Sequence, residues 1–218
     1  AHQATAEVAQ MSLILSPDSS IRQEPLIITT ELRAKWVADS EQFVRDIFRP
    51  PVISSQQRQA LRAYDDLVFS RLRRRAYAKD PKHVVPLTPE ELAVCQKFGL
   101  SLQAGKGVGK NAFEVWVMFH FMDCMPSDAP HQGPALKIMC TGPTEEQLKN
   151  NLWAEAYKWM SKSTNGYLMD YYTHTSEKIF RTEFQGKTCF ATWKTCTRSA
   201  DPDDQAATLA GKHEDFMI

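Results

Sequence analysis

Ala104-Gly105-Lys106-Gly107-Val108-Gly109-Lys110-Asn111 is the stretch that decides how this chain is read. Before it, Phe98, Leu100 and Leu102 alternate, which predicts a strand. After it comes Ala112-Phe113-Glu114-Val115-Trp116-Val117-Met118-Phe119, apolar nearly all round, which predicts a helix buried beneath a sheet. A glycine-rich loop between a strand and a helix is the setting of a phosphate loop. Phosphoryl oxygens need several backbone N–H groups converging from one side. Glycine permits the required dihedrals and close approach, and a helix N-terminus adds a favourable dipole.

On this reading residues Ala104 to Asn111 bind ATP, and Lys110 reaches its β and γ phosphates. Two positions depart from the usual pattern. Ala104 stands where the first glycine is expected, and Asn111 where a Ser or Thr hydroxyl ordinarily ligates Mg²⁺. An Asn carbonyl oxygen also suits a hard cation, from a shifted position, so Asn111 is the candidate Mg²⁺ ligand. Lys106 has two readings: a second cation that stabilises charge on the transferring phosphoryl group, or a solvated side chain. The bland reading of the whole stretch is a flexible turn with solvated lysines.

Working outward, Leu136, Ile138 and Cys140 predict the next strand, and Thr144 with Gln147 opens a helix whose apolar face (Leu148, Leu152, Ala156, Trp159) runs to about Met160. Ile179 to Phe184 and Cys189 to Lys194 flank Gln185-Gly186-Lys187 as an antiparallel hairpin. Phe216-Met217-Ile218 begins another strand. The order strand, loop, helix, strand, helix predicts an α/β fold with a mainly parallel central sheet flanked by helices, plus a β-hairpin.

Upstream, residues 1 to 29 are read as an irregular arm and residues 30 to 97 as a helical lead-in, with the α/β core spanning 98 to 218. In the lead-in, helical spacing predicts one helix from Thr30 to Phe48, stopped by Pro50-Pro51, and another from about Ser55 to Tyr77. The second helix turns Leu61, Tyr64, Leu67, Val68 and Leu72 to one face and ends in Arg71-Leu72-Arg73-Arg74-Arg75. Those cations complement the negative end of the helix dipole as a solvated face, or form a patch for DNA phosphates. Thr88-Pro89-Glu90-Glu91 is a capping box that predicts a short helix to about Phe98.

The 218 residues carry 26 basic and 26 acidic side chains, so no global field selects a polyanion and any DNA affinity has to be local. Neither a membrane-length apolar run nor a signal peptide is evident, and the chain reads as soluble and intracellular. Five cysteines without a C-x-x-C pair read as reduced, mostly buried thiols. His120 and Cys124, at i and i+4, with Cys189 and Cys196 are a possible metal set, against which stands their apolar surrounding.

The stretch Leu102 to Trp159 resembles the ATPase domain of tailed-phage large terminases, whose phosphate loop and buried helix are followed by a strand ending in Thr-x-Pro-Thr, here Thr141-Gly142-Pro143-Thr144. Glu145 to Glu155 keeps that family's Gln-Leu, Leu-Trp and Ala-Glu spacing, and Leu209-Ala210-Gly211-Lys212-His213 is similar to the segment before its acidic strand. Gln57, within Gln57-Arg58-Gln59-Ala60-Leu61, stands at the adenine-side motif, although Gln56 replaces the aromatic residue usual before it. Arg198 stands where the family often has an arginine that senses nucleotide or a neighbouring subunit; a surface role is the alternative.

This resemblance implies a P-loop ATPase with ATP and Mg²⁺ as cofactors, hydrolysing ATP to move double-stranded viral DNA into a procapsid. Its implied partners are the portal protein and the small terminase subunit, and its implied assembly is a homo-oligomeric ring at the procapsid portal in the infected bacterial cytoplasm. The family's water-activating carboxylates would follow Ile218, and its nuclease domain is absent from these residues. A helicase-like DNA-stimulated translocase and a non-hydrolysing nucleotide-binding assembly module are the competing expectations.

Overall fold

In the computed structural model the residues described are 26–97, 99–103, 107, 109–125, 136–195 and 216–218. The chain enters through α1 (Thr30–Ala38) and α2 (Ser40–Phe43), which runs on into a π-helical turn over Val44–Phe48. The single helix expected from Thr30 to Phe48 is therefore broken, and Asp39 is the reason. Its backbone is extended and its N–H closes α1 on Lys35, while its carboxylate accepts from Gln42 N at 3.0 Å and starts α2. Arg49, left-handed at φ 45, ends the π turn before the two prolines.

Next comes α3 (Ser55–Lys79), opened by a capping box between Ser54 and Gln57, then α4 (Pro89–Cys95), opened by the capping box predicted at Thr88 and Glu91. α5 (Lys110–Cys124) is followed by β1 (Lys137–Gly142). Thr144 Oγ1 accepts from Gln147 N at 3.1 Å to start α6 (Glu145–Gln147), which continues through a π turn (Leu148–Trp153) into α7 (Ala154–Ser161). Then follow α8 (Tyr167–Tyr171), β2 (Tyr172–His174), β3 (Lys178–Arg181), β4 (Phe190–Thr195) and β5 (Phe216–Met217).

The fold is α/β, with a sheet ordered β2-β3-β4-β1-β5. The sheet is mixed, not mainly parallel: β1 pairs in parallel with β4 and β5, whereas β2-β3 and β3-β4 are antiparallel. Connection length accounts for this, because Thr175-Ser176-Glu177 between β2 and β3 is far too short for a parallel crossover. The expected hairpin exists with a longer connection. Thr182–Phe184 is a 3₁₀ turn, and Gln185 and Gly186 at φ 51 and 69 turn the chain back.

A further correction concerns Phe98, Leu100 and Leu102. Residues 99–103 form no strand, and Phe98 lies outside the described residues. Leu100 and Leu102 instead stay 40% and 41% exposed.

α5 sits at the centre of the core, with Val115, Trp116, Val117, Met118, Phe119 and Met122 each 3% exposed or less. One apolar cluster joins the lead-in (Trp36, Phe43, Ile47, Leu61) to the sheet (Ile138, Ile179, Ala191) through this helix. Several buried polar groups inside it are matched, whereas Trp116 Nε1 and Ser40 Oγ find no hydrogen-bond partner among the described residues. Tyr64 and Trp36 hold the ring of His120, and at the far end of α5 Asp123 accepts from Tyr167 Oη at 2.9 Å and Tyr172 Oη at 3.2 Å. No helix among the described residues is long and apolar enough to cross a membrane.

Candidate nucleotide site

The site is built where α5 begins. Gly109 caps the helix with a left-handed backbone (φ 78, ψ 31), and Phe113 N closes the first turn on Gly109 O at 3.1 Å. The left-handed dihedral calls for glycine, and a β-carbon there would lie 2.6 Å from Gln57 Nε2, so the Gln57 amide would have to shift. Gly107 is likewise left-handed at φ 82, with open space around it. Lys110 is exposed at the first helical position and Asn111 half-buried at the second. Ala104, Gly105, Lys106, Val108 and Arg198 lie outside the described residues.

The structure brings one distant residue onto this loop. Gln57, 52 positions earlier, donates from Nε2 to Gly109 O at 3.4 Å. Its other amide atom is also in use: Oε1 accepts from Ser54 N at 3.0 Å, completing the cap of α3. A Gln amide offers two N–H donors and two acceptor lone pairs, so one of each is left uncommitted by these two bonds.

Between the first turns of α3 and residues 100–103 lies a cleft of about 420 Å³ that ends on Gly109, Lys110 and Phe113. Ala60, Ala63, Leu100, Leu102 and Phe113 supply apolar surface, and Gln56, Gln57, Gln59 and Gln103 supply amides. Sequence reasoning found Gln57 but missed the lining by Leu100 and Leu102, whose alternation mimicked a strand. It also passed over Glu114, one turn along α5 from Lys110. Burial pushes the Glu114 carboxyl up from its ordinary range, and the Lys110 ammonium opposes that shift.

The basic run divides. Arg71 donates to Lys97 O at 2.6 Å, and Arg73 pairs with Glu91 and donates to Val85 O and Pro86 O at 3.3 and 3.4 Å. These two side chains fasten α4 and its approach to α3, a role absent from both readings of the run. Arg74 and Arg75 are exposed. As for a metal set, no group of three or more His, Cys, Asp or Glu side chains converges among the described residues. His120 has both ring nitrogens hydrogen-bonded, Cys124 and Cys189 are buried free thiols, and Cys196 lies outside the described residues.

Comparison of the chain with protein-family models, with curated proteins and with solved structures finds no match, so the residues around Gly109 are the ground on which a function is argued.

Proposed function

We propose that this chain is the ATP-binding part of a P-loop motor of the phage large-terminase kind, which hydrolyses ATP to drive double-stranded DNA into a procapsid. The observation that carries the reading is the meeting of two sequence-distant motifs: Gln57, from the adenine-side segment, bonds the backbone of Gly109, at the end of the glycine-rich loop. The cleft beside them is lined by a cation, Lys110, at the start of α5, and by apolar side chains and amides from α3 and residues 100–103. That polarity fits a nucleotide laid with its phosphates at the helix N-terminus and its base against α3.

In this reading Lys110 and the loop amides, including those of Ala104 to Gly109, bind the triphosphate, and Lys106 adds a second cation there. Arg198 serves as the nucleotide or neighbour sensor. Gln57 offers one remaining donor and one remaining acceptor, the pattern that pairs with adenine N7 and N6. The half-buried Asn111 fits Mg²⁺ as a single carbonyl-oxygen ligand, since Mg²⁺ takes few protein ligands and fills its octahedron with phosphate oxygens and water. Bound there, the ion would neutralise charge on the phosphoryl oxygens. Double-stranded DNA, the portal protein, the small terminase subunit and a homo-oligomeric ring at the procapsid portal are the partners this function requires, with Arg74 and Arg75 the candidate phosphate contacts. A residual DNA role for Arg71 and Arg73 has to coexist with their grip on α4.

The test compares the parent protein, expressed with whatever chain follows Ile218 so that the implied carboxylates are included, with Lys110→Ala in Mg²⁺-dependent ATP binding and hydrolysis, with and without double-stranded DNA. Expected is ATP binding with DNA-stimulated turnover, both lost in the variant. Equal ATP affinity in the two proteins sinks the phosphate-loop assignment. Binding without turnover selects the non-hydrolysing module, and strand separation in place of packaging selects a helicase-like translocase.

A further inference from the structure

The two leucines displaced from their expected strand carry an inference about the same cleft. We propose that Leu100 and Leu102 are the base-clamping residues of the nucleotide site, closing one face of a purine whose other face rests on Ala60 and Ala63 of α3. The proposal rests on the phosphate-loop reading of Gly109 and Lys110.

Four observations converge on it. Leu100 and Leu102 are 40% and 41% exposed, although both line a cleft and neither is engaged in a sheet. The same cleft is lined by Ala60, buried, and Ala63, half-buried, whose side chains are small enough to leave a slot rather than fill it. Among the described lining residues four glutamines supply amides, and Lys110, at the start of α5, is the one charged group. Finally, the volume of about 420 Å³ lies within the range of small-ligand sites.

A flat heterocycle has apolar faces and a hydrogen-bonding edge, and this slot has apolar walls and an amide rim. An aliphatic chain would leave the amides unpaired, and a compact anion would leave the leucines in water. Gln56 brings an amide and no ring to this lining, so the apolar surface for a base comes from the alanines and leucines.

The experiment separates the base from the phosphates by titrating ATP and inorganic tripolyphosphate, each with Mg²⁺, into the parent, Leu100→Ser/Leu102→Ser and Ala63→Leu. The leucines are substantially exposed, so the double variant is expected to keep the parent's circular dichroism. ATP affinity should fall about tenfold or more in both variants, the loss expected when a few buried methylenes are removed or the slot is filled, while tripolyphosphate affinity stays within about twofold. Equal weakening of both ligands would show that the leucines support the loop and would overturn the clamp. Unchanged ATP affinity in the double variant overturns it as well. Should the parent bind neither ligand, the phosphate-loop reading itself falls and takes the clamp with it. Tripolyphosphate binding without any added affinity for ATP sinks the clamp alone.

Discussion

Acid should unfold this protein through His120, and the size of the effect follows from its surroundings. The ring is 1% exposed, with Nε2 2.6 Å from Trp36 O and Nδ1 2.9 Å from Tyr64 Oη. A backbone carbonyl only accepts, so Nε2 carries a proton; burial keeps the imidazole neutral, and Nδ1 then accepts from the Tyr64 hydroxyl. Protonating Nδ1 would force the Tyr64 hydroxyl to turn round and place a cation in the core. Burial accordingly pushes the imidazole down to about 4 from its ordinary 6.5, against the opposing pull of the Trp36 carbonyl and Asp39.

A depressed histidine contributes stability that is complete above about pH 6.5 and lost as pH falls toward the folded value. With those two values the loss is about 2 kcal/mol between roughly pH 7 and pH 5, and approaches about 3.4 kcal/mol below pH 4. Urea denaturation across this range, in the parent and in His120→Gln, isolates the effect, because glutamine keeps a donor and an acceptor but does not titrate. The parent should lose about 2 kcal/mol more than the variant over that interval. Parallel pH profiles for the two proteins would refute the neutral buried imidazole.

Asp65 should act with the opposite sign. Burial pushes its carboxyl up to about 7, although Ser40 N donates to it at 3.1 Å. Its stability contribution is therefore full below about 3.8 and is lost as pH rises through 7. Asp65→Asn, which keeps an acceptor for Ser40, should gain on the order of 1 kcal/mol near pH 8 and lose that advantage near pH 4, read by thermal melts at the two pH values. Gly109→Ala should cost about 1–2 kcal/mol for the left-handed dihedral. It should also displace the Gln57 amide, so that Gln57→Ala costs less in the Gly109→Ala background than alone; strict additivity in that cycle argues against the contact.

Local hydrogen bonds made parts of this fold readable in the chain. The Thr88–Glu91 box, the Thr144 cap and the all-apolar face of α5 each lie within a few residues, so their signals survive without the tertiary structure. Asp39 was missed because a single residue that closes one helix and opens the next leaves the apolar spacing around it nearly undisturbed. The mixed sheet escaped because the strand–helix order around the glycine loop dominated the reading, while the direction of β2, β3 and β4 is set by short connections elsewhere. At the site, glycines at 105, 107 and 109 announce a loop, but only folding reveals that Gln57 lies against it, and no period in the sequence distinguishes a leucine pair in a strand from one lining a cleft.

One further consequence lies in where Gln57 sits on α3. The helix is 25 residues long, about 37 Å from end to end at 1.5 Å per residue. Its first half is anchored by the buried Leu61, Tyr64 and Leu67, whereas its last turns carry the exposed Arg74 and Arg75 and, through Arg71 and Arg73, the weight of α4. A tilt of α3 at its Gln57 end would therefore be magnified at the arginine end. A rotation of about 5° there would sweep Arg75, about 27 Å along the helix from Gln57, through about 2.4 Å.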